Sequence, residues 1–310
     1  LKIAALAGGV GGARLADGLA RCIAPDQLTV IVNTGDDFLH YGLAISPDLD
    51  TVMYNLAGLA HPVNGWGLDG DTAEMIGMMH RYGDDAWFGL GDRDLATHLL
   101  RTQALRSGKL LHEITAELAA ALHVQVHLLP MSNDRVATVV ETVERGTLEF
   151  QEYFVRYRWQ PTITAIRYDG AELAAPAPGV LEAIDSADLI VFCPSNPVLS
   201  VEPILRIPGL RAAVQNRRVP SVAVSPLIGG NTVKGPAAKV MKELRLEATS
   251  LGIAAYYGSL IDGLLIDTVD RELVEQIQQK TRVTNILMPT VDDRVRLAHE
   301  LIQWVEEKLS

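Results

Sequence analysis

The sequence predicts an α/β fold: a doubly wound, mostly parallel, Rossmann-like sheet carrying a smaller helical and β-hairpin cap. Three observations predict it. Short apolar runs recur with helical patterns between most of them, as in alternating βα units. Several of these runs end in glycine-rich or polar loops, and the carboxyl edge of a parallel sheet is where such folds bind ligands. One stretch of different texture, alternating apolar and polar residues about a glycine turn, interrupts the alternation.

Lys2-Ile3-Ala4-Ala5-Leu6-Ala7 reads as a buried first strand, Gly8-Gly9-Val10-Gly11-Gly12-Ala13 as a tight turn, and residues 14–21 as the helix that follows. Glycines let backbone approach an anion, and a helix amino terminus offers unpaired N–H groups. A dinucleotide fingerprint counted from Gly9 and Gly11 requires glycine where Arg14 stands, and no Gly-Lys-Ser/Thr follows to make a Walker loop. The turn is read as a phosphate cradle of neither common class, with a simple strand-to-helix turn as the alternative. The second strand, Val30-Ile31-Val32, runs into Asn33-Thr34-Gly35-Asp36-Asp37, and Ser46-Pro47-Asp48-Leu49-Asp50-Thr51 follows closely. Carboxylates so crowded repel unless a cation lies among them, and magnesium, a hard ion that shares oxygen ligands with substrate phosphates, is the simplest candidate.

Further buried strands are expected at 124–129, 188–193, 219–224 and 263–266, with an amphipathic helix over 291–309. Residues 137–143 and 147–157 flank Glu144-Arg145-Gly146 as a hairpin. Its last part, 152–158, alternates so that Arg156 and Arg158 share one strand face. Residues 1–310 read as a single domain, with a cap over about 70–160.

Composition narrows the class. Of 310 residues 48% are hydrophobic, ample for a full core. No apolar run approaches the roughly 20 residues of a membrane span, and the first strand does not read as a signal peptide, so a cytoplasmic protein is expected. A net charge of −11 argues against a nucleic-acid surface. Cys22 and Cys193 sit in apolar surroundings without further ligands nearby, so buried thiols are expected rather than a disulfide or zinc site.

The second polar cluster is Trp87-Phe88-Gly89-Leu90-Gly91-Asp92-Arg93-Asp94-Leu95-Ala96-Thr97-His98. Asp92 or Asp94 can cap the helix that begins there, but capping does not account for both together with Arg93 and His98. Aromatic residues beside hydrogen-bonding groups suit a flat heteroaromatic ligand, whereas His98 alone would read as an ordinary helix histidine. Pro194-Ser195-Asn196-Pro197 after one strand, and Ser225-Pro226-Leu227-Ile228-Gly229-Gly230 with Val233-Lys234-Gly235-Pro236 after the next, extend the same crevice. Lys234 is placed to reach a phosphate at the helix amino terminus behind it.

These motifs together resemble the 2-phospho-L-lactate transferase family of coenzyme F-420 biosynthesis, in the family's order over nearly the whole chain. The resemblance implies a magnesium-dependent transfer. A guanosine diphosphate-activated three-carbon acid (phospholactate, phosphoenolpyruvate or phosphoglycerate) would give its acid-bearing phosphate to the ribityl hydroxyl of the deazaflavin Fo, releasing GMP. Asp36, Asp37 and Asp50 would be catalytic, with Asp36 and Asp50 favoured as metal ligands. Gly9, Gly11, Gly12, Arg14, Ser195, Asn196 and Lys234 would hold the donor nucleotide. Asp48, Trp87, Asp92, Arg93, Asp94 and His98 would line the acceptor pocket, and a homodimer is expected. The main alternative is a regulatory protein of the gluconeogenesis factor type, binding a uridine-diphosphate sugar; the aspartate-rich run at 87–98 speaks against it. A nicotinamide dehydrogenase is disfavoured by Arg14.

Overall fold

The computed structural model describes residues 1–309. Its central sheet has seven strands: β1 (Ile3–Ala7), β2 (Leu28–Val32), β3 (His127–Pro130), β4 (Leu189–Phe192), β5 (Ser221–Val224), β6 (Gly263–Ile266) and β7 (Lys280–Val283). They lie in the order β7-β6-β5-β4-β1-β2-β3, every neighbouring pair parallel. The chain runs outward from β1 to β3 on one side, then returns to place β4 on the other side of β1. The topological switch point therefore lies between β1 and β4, and a crevice opens beyond the carboxyl ends of these strands.

Parallel strands are covered on both faces, which is why they read as unbroken apolar runs. Alternate residues separate cleanly. Ala4, Leu6, Ile31, Ile190, Phe192, Ala223 and Leu264 enter one core, with the helices between β4 and β6. Ile3, Ala5, Val30, Val32, Leu189, Val191 and Val222 enter the other. That second core is built by α1 (Gly9–Ala20), α2 (Pro47–Leu56) and the last helix, Val291–Lys308.

The region from 70 to 160 holds α3 (Glu74–Arg81), α4 (Asp94–Arg106) and α5 (Leu111–Ala121). Of these, α5 sends Leu111 and Ala119 into the sheet core as the crossover to β3. The expected hairpin exists, as Ala137–Thr142 paired with Gly146–Glu149, but it belongs to a three-stranded antiparallel sheet completed by Ile163–Asp169. It is also shorter than the alternation suggests. Glu152–Arg156 is a helical turn, so Arg156 and Arg158 do not share a strand face. Tyr153, fully buried with Phe150, Val198 and Val240, supplies the reason: packing against the 197–201 turn outweighs the period-2 pattern. α1, too, begins at Gly9 rather than at 14, so most of the expected turn is its first turn of helix. Cys193 is buried and its thiol pushed up to about 12 by burial, whereas Cys22 is only half-buried.

The last helix is tied to α1 by a buried ion pair. Arg294 donates from Nη1 to Asp17 Oδ2 at 2.9 Å, and Arg21 donates from Nε to the other Asp17 oxygen at 2.9 Å. Removing the acid would leave Arg294 unpaired in the interior. Asp17→Ala is expected to cost about 3 kcal/mol, the low end for breaking such a pair, read as a fall in the urea midpoint without change in slope.

Candidate functional site at the strand carboxyl edge

At the switch point the loops after β1 and β4 are locked together. Ser195 Oγ accepts from Gly8 N at 3.1 Å and donates to Gly8 O at 2.8 Å. A Cβ at Gly11 would meet Pro194 O at 2.2 Å, and one at Gly12 would meet Ser195 Oγ at 2.6 Å. Much of the glycine content of this turn thus serves close packing of the two loops. Asn196 uses its Oδ1 to cap the turn behind it, accepting from Val198 N and Leu199 N, while its Nδ2 is buried without a partner among the described residues. The Gly9 N–H faces the Asp48 carboxylate, so at this helix terminus an acid of the chain itself takes the N–H a phosphate would use.

The acids come together as their spacing suggests. β2 ends at Val32, and Asn33 then bridges the two acidic segments, accepting from Gly35 N at 2.8 Å and donating to Asp48 Oδ2 at 3.0 Å. Asp36, Asp48 and Asp50 are buried. Asp36 is held well above the ordinary carboxylate range by burial and by the Asp48 charge. Asp37 is likewise raised, mainly by burial, against the Ser46 hydroxyl, which donates to its Oδ2 at 2.6 Å. Asp48 is raised by burial to about 6, even though Asn33 and the Gly9 N–H hold it down. Asp36 Oδ1 and Asp37 Oδ1 are buried and have no hydrogen-bond partner among the described residues.

Asp50 differs. Arg101 of α4 grips it with both terminal nitrogens, Nη1 reaching Oδ2 at 3.0 Å and Nη2 reaching Oδ1. His98 lies between two acids, with Nδ1 3.6 Å from Asp50 Oδ2 and Nε2 3.3 Å from Asp94 Oδ2. Burial works against ionised Asp94, but His98 and the Tyr54 hydroxyl, donating at 2.6 Å, hold its carboxyl below the usual range. Asp50, Asp94 and His98 offer ligand atoms within 4.8 Å of one another. Arg101 already supplies positive charge there. Among the described residues, the buried carboxylate oxygens without a hydrogen-bond partner lie with Asp36 and Asp37. Their hard oxygens suit a cation such as magnesium, and Asp50 would have to exchange an Arg101 hydrogen bond to join them.

Not every expected residue converges on this cluster. Asp92 serves the start of α3, accepting from Thr72 Oγ1 at 2.6 Å, Glu74 N at 2.8 Å and Met75 N at 2.9 Å. The start of α4 is served instead by Asp71, which accepts from Arg93 N and Asp94 N. Arg93 is exposed and donates to the carbonyls of Asp69 and Gly70. Trp87 stands in an aromatic group with Phe38, His40 and Phe88, its ring centroid 6.2 Å from Phe38 and 5.2 Å from His40. Phe38 directly follows Asp37 in the chain, so an aromatic group whose rings meet mostly edge to face adjoins the acids. Sequence reasoning does not single out Phe38, His40, Asn33 or Arg101 as site residues. Arg101 has a usable signal, three residues beyond His98 and seven beyond Asp94 on one helix face.

Arg14 and Lys234 face the same opening from the other side. Arg14 Nη2 donates to Pro62 O at 3.5 Å, and Lys234 Nζ to Val63 O at 2.9 Å and to Asn64 O.

The seven-stranded parallel sheet with polar loops at its switch point defines an α/β protein of the ligand-binding, doubly wound class. The chain belongs to the 2-phospho-L-lactate transferase CofD family, whose model matches residues 3–310. It is 46% identical to a phosphoenolpyruvate transferase of Streptomyces griseus, across 99% of both chains. It is 40% identical to a 2-phospho-L-lactate transferase of Methanosarcina acetivorans, across 86% of both. Among solved structures, a UPF0052-family protein from Bacillus halodurans superposes with a TM-score of 0.64 over 97% of this chain and 98% of that one. At 17% identity that likeness speaks for the fold alone. The chain is therefore a transferase of the coenzyme F-420 biosynthesis family. Among the described residues no helix is long and apolar enough to cross a membrane.

The raised carboxylates give the pH dependence a sign. A native acid with pKa near 6, against about 3.9 unfolded, binds more protons folded than unfolded. Its stabilising contribution is present below about pH 4 and is lost as pH rises through 6. With a chelator present, unfolding free energy is expected to fall between about pH 4 and pH 6, with a slope shallower by up to about one proton in Asp48→Asn. Equal slopes in urea titrations of the two proteins would contradict the buried, repelled state of Asp48.

Proposed function

We propose that this chain transfers a phosphoenolpyruvyl group from a guanosine diphosphate-activated donor to the ribityl hydroxyl of the deazaflavin Fo. The observation that carries the reading is the family match over nearly the whole chain, coinciding with an acid cluster at the switch point. The choice of phosphoenolpyruvate over phospholactate follows the name and closer identity of the Streptomyces relative, 46% against 40% for the archaeal one.

In this reading Asp36 and Asp50 would hold magnesium, which would neutralise charge on the donor diphosphate. Asp37 Oδ1, buried beside them and unpartnered among the described residues, accepts the proton of the ribityl hydroxyl. The hydroxyl oxygen forms its bond to the acid-bearing phosphorus as the bond to the GMP oxygen breaks. The products are a phosphodiester of Fo, GMP and the proton left on Asp37. The raised affinity of Asp37 for a proton fits that task. Phe38, Trp87 and Phe88 give the deazaflavin ring its platform, with Asp48, Asp94 and His98 nearer the reacting end; Asp92 and Arg93 contribute by fixing the surrounding loops. Gly9, Gly11, Gly12, Ser195 and Asn196 shape the floor of the donor site, and Arg14 and Lys234 meet its phosphates. A cytoplasmic homodimer fits this role.

The first test is a fluorescence titration with Fo in the presence of magnesium and GDP, repeated with a uridine-diphosphate sugar. Saturable Fo binding indifferent to the uridine nucleotide is expected. Tight uridine-nucleotide binding without Fo binding would favour the regulatory alternative. For the chemistry, Asp37→Asn is expected to lower kcat at least about 100-fold with GDP affinity within about two-fold of wild type. Removal of magnesium should abolish turnover reversibly, and an Asp50→Asn variant with full magnesium-dependent turnover would remove Asp50 from the metal site.

A further inference from the structure

The loop 60–68 is an unusual object at the edge of this crevice. Its ends are pinned: Ala60 bridges Leu68, and Asn55 of α2 donates to Gly65 O at 2.9 Å. Its base rests on α1, where a Cβ at Gly65 would lie 2.4 Å from Val10 Cγ1 and 3.5 Å from Arg14 Nη2. Its tip carries Trp66, 53% exposed, between Gly65 at φ 74° and Gly67 at φ 68°. Glycine in this left-handed conformation on both sides holds a large aromatic ring out of the core at the rim of a ligand crevice.

The cations touching this loop are the second observation. Lys234 crosses from the loop after β5 to donate to Val63 O and Asn64 O, and Arg14 donates to Pro62 O. Among the described residues neither forms an ion pair with a carboxylate, although the protein carries an excess of acids. Arg14 Nε is buried without a partner there. Two positive charges resting on neutral carbonyls are held in readiness for an anion.

We propose that loop 60–68 is the nucleobase clamp of the donor site, with the base of a purine nucleoside diphosphate stacked on Trp66 and its diphosphate drawing Lys234 and Arg14 off the loop carbonyls. The inference rests on the donor reading above and adds to it the residue that recognises the base. The loop that carries Trp66 meets Val10 and Arg14 through Gly65 and Pro62 and Lys234 through Val63 and Asn64, whereas the aromatic group next to the acids is formed by Phe38, Trp87 and Phe88. The two aromatic surfaces therefore serve the two substrates separately.

Titration calorimetry with GDP and with inorganic pyrophosphate, which lacks a base, tests this. Trp66→Ala is expected to weaken GDP about ten-fold, in the range of one lost base stack, and to leave pyrophosphate unchanged. Trp66→Phe should restore most of the GDP affinity. Lys234→Ala should weaken both ligands. Unchanged pyrophosphate binding also shows that the Trp66 variant is folded. Equal GDP affinity in wild type and Trp66→Ala, or a loss of Fo affinity in place of GDP affinity, overturns the clamp while leaving the donor reading intact. Failure of wild-type protein to bind GDP at all overturns the donor reading itself, and the clamp with it.

Discussion

Four carboxylates, Asp36, Asp37, Asp48 and Asp50, are gathered at one strand edge with the guanidinium of Arg101 set directly against them. Burying like charges together is costly, and Asp36, Asp37 and Asp48 answer by holding their protons more tightly. The chain moderates the cost with short-range contacts. Asn33 ties the β2 end to Asp48, Ser46 donates to Asp37, and the Gly9 N–H faces Asp48. The small antiparallel sheet belongs to the same scheme. Thr138 donates its backbone N–H to Gly35 O at 2.7 Å, which fixes the turn that presents Asp36. The loop is braced by backbone from two separate sheets, so its acids stay close despite their repulsion.

The α2–α4 contact is the other half of the arrangement. Asp50 and Tyr54 lie one turn apart on α2, and Asp94, His98 and Arg101 lie on one face of α4, so two helices meet through alternating acid and base. Each member has its charge answered within the group: Asp50 by Arg101, Asp94 by His98 and Tyr54. Satisfaction is incomplete, since His98 Nε2 and Arg101 Nε are buried without a hydrogen-bond partner among the described residues. The network adjoins Asp37, on which the Arg101 and Asp50 charges act in opposite senses.

How far the sequence reveals this depends on the range over which each contact is decided. Asp36 and Asp37 are legible because a buried strand ending in Gly-Asp-Asp has one place to put them, the carboxyl edge. The core strands are legible because both faces are covered. β7, Lys-Thr-Arg-Val, is not: an edge strand with half-exposed residues carries no apolar run. Residues 152–158 mislead for the opposite reason, their alternation being real while Tyr153 packs as part of a helical turn. Asp92 reads as part of the site because it adjoins Asp94, yet it serves the start of α3, accepting from residues 17 to 20 positions back in the chain. Its partner is chosen by the path of the intervening loop, which no local pattern encodes. Loop 60–68 leaves no signal either, since its glycines matter only through what they hold up.

The crevice has acids on the β2 side and cations on the β1 and β5 side, and among the described residues the two sets do not pair. On the β2 side, Asp36 and Asp37 have free oxygens among the described residues. On the β1 and β5 side, Arg14 and Lys234 rest on backbone carbonyls, and each is held below its usual pKa by burial first and then by a neighbouring cation. Had the fold required only stability, pairing these groups with one another would be the cheaper solution. Their separation instead asks for a ligand that presents a cation to one wall and an anion to the other. A metal-bound nucleoside diphosphate has that polarity, and the donor we propose has it with its acid-bearing phosphate between the two walls. In that proposal the acceptor hydroxyl would approach from the aromatic side, past Asp37, and the separation of acids from cations would orient the transfer.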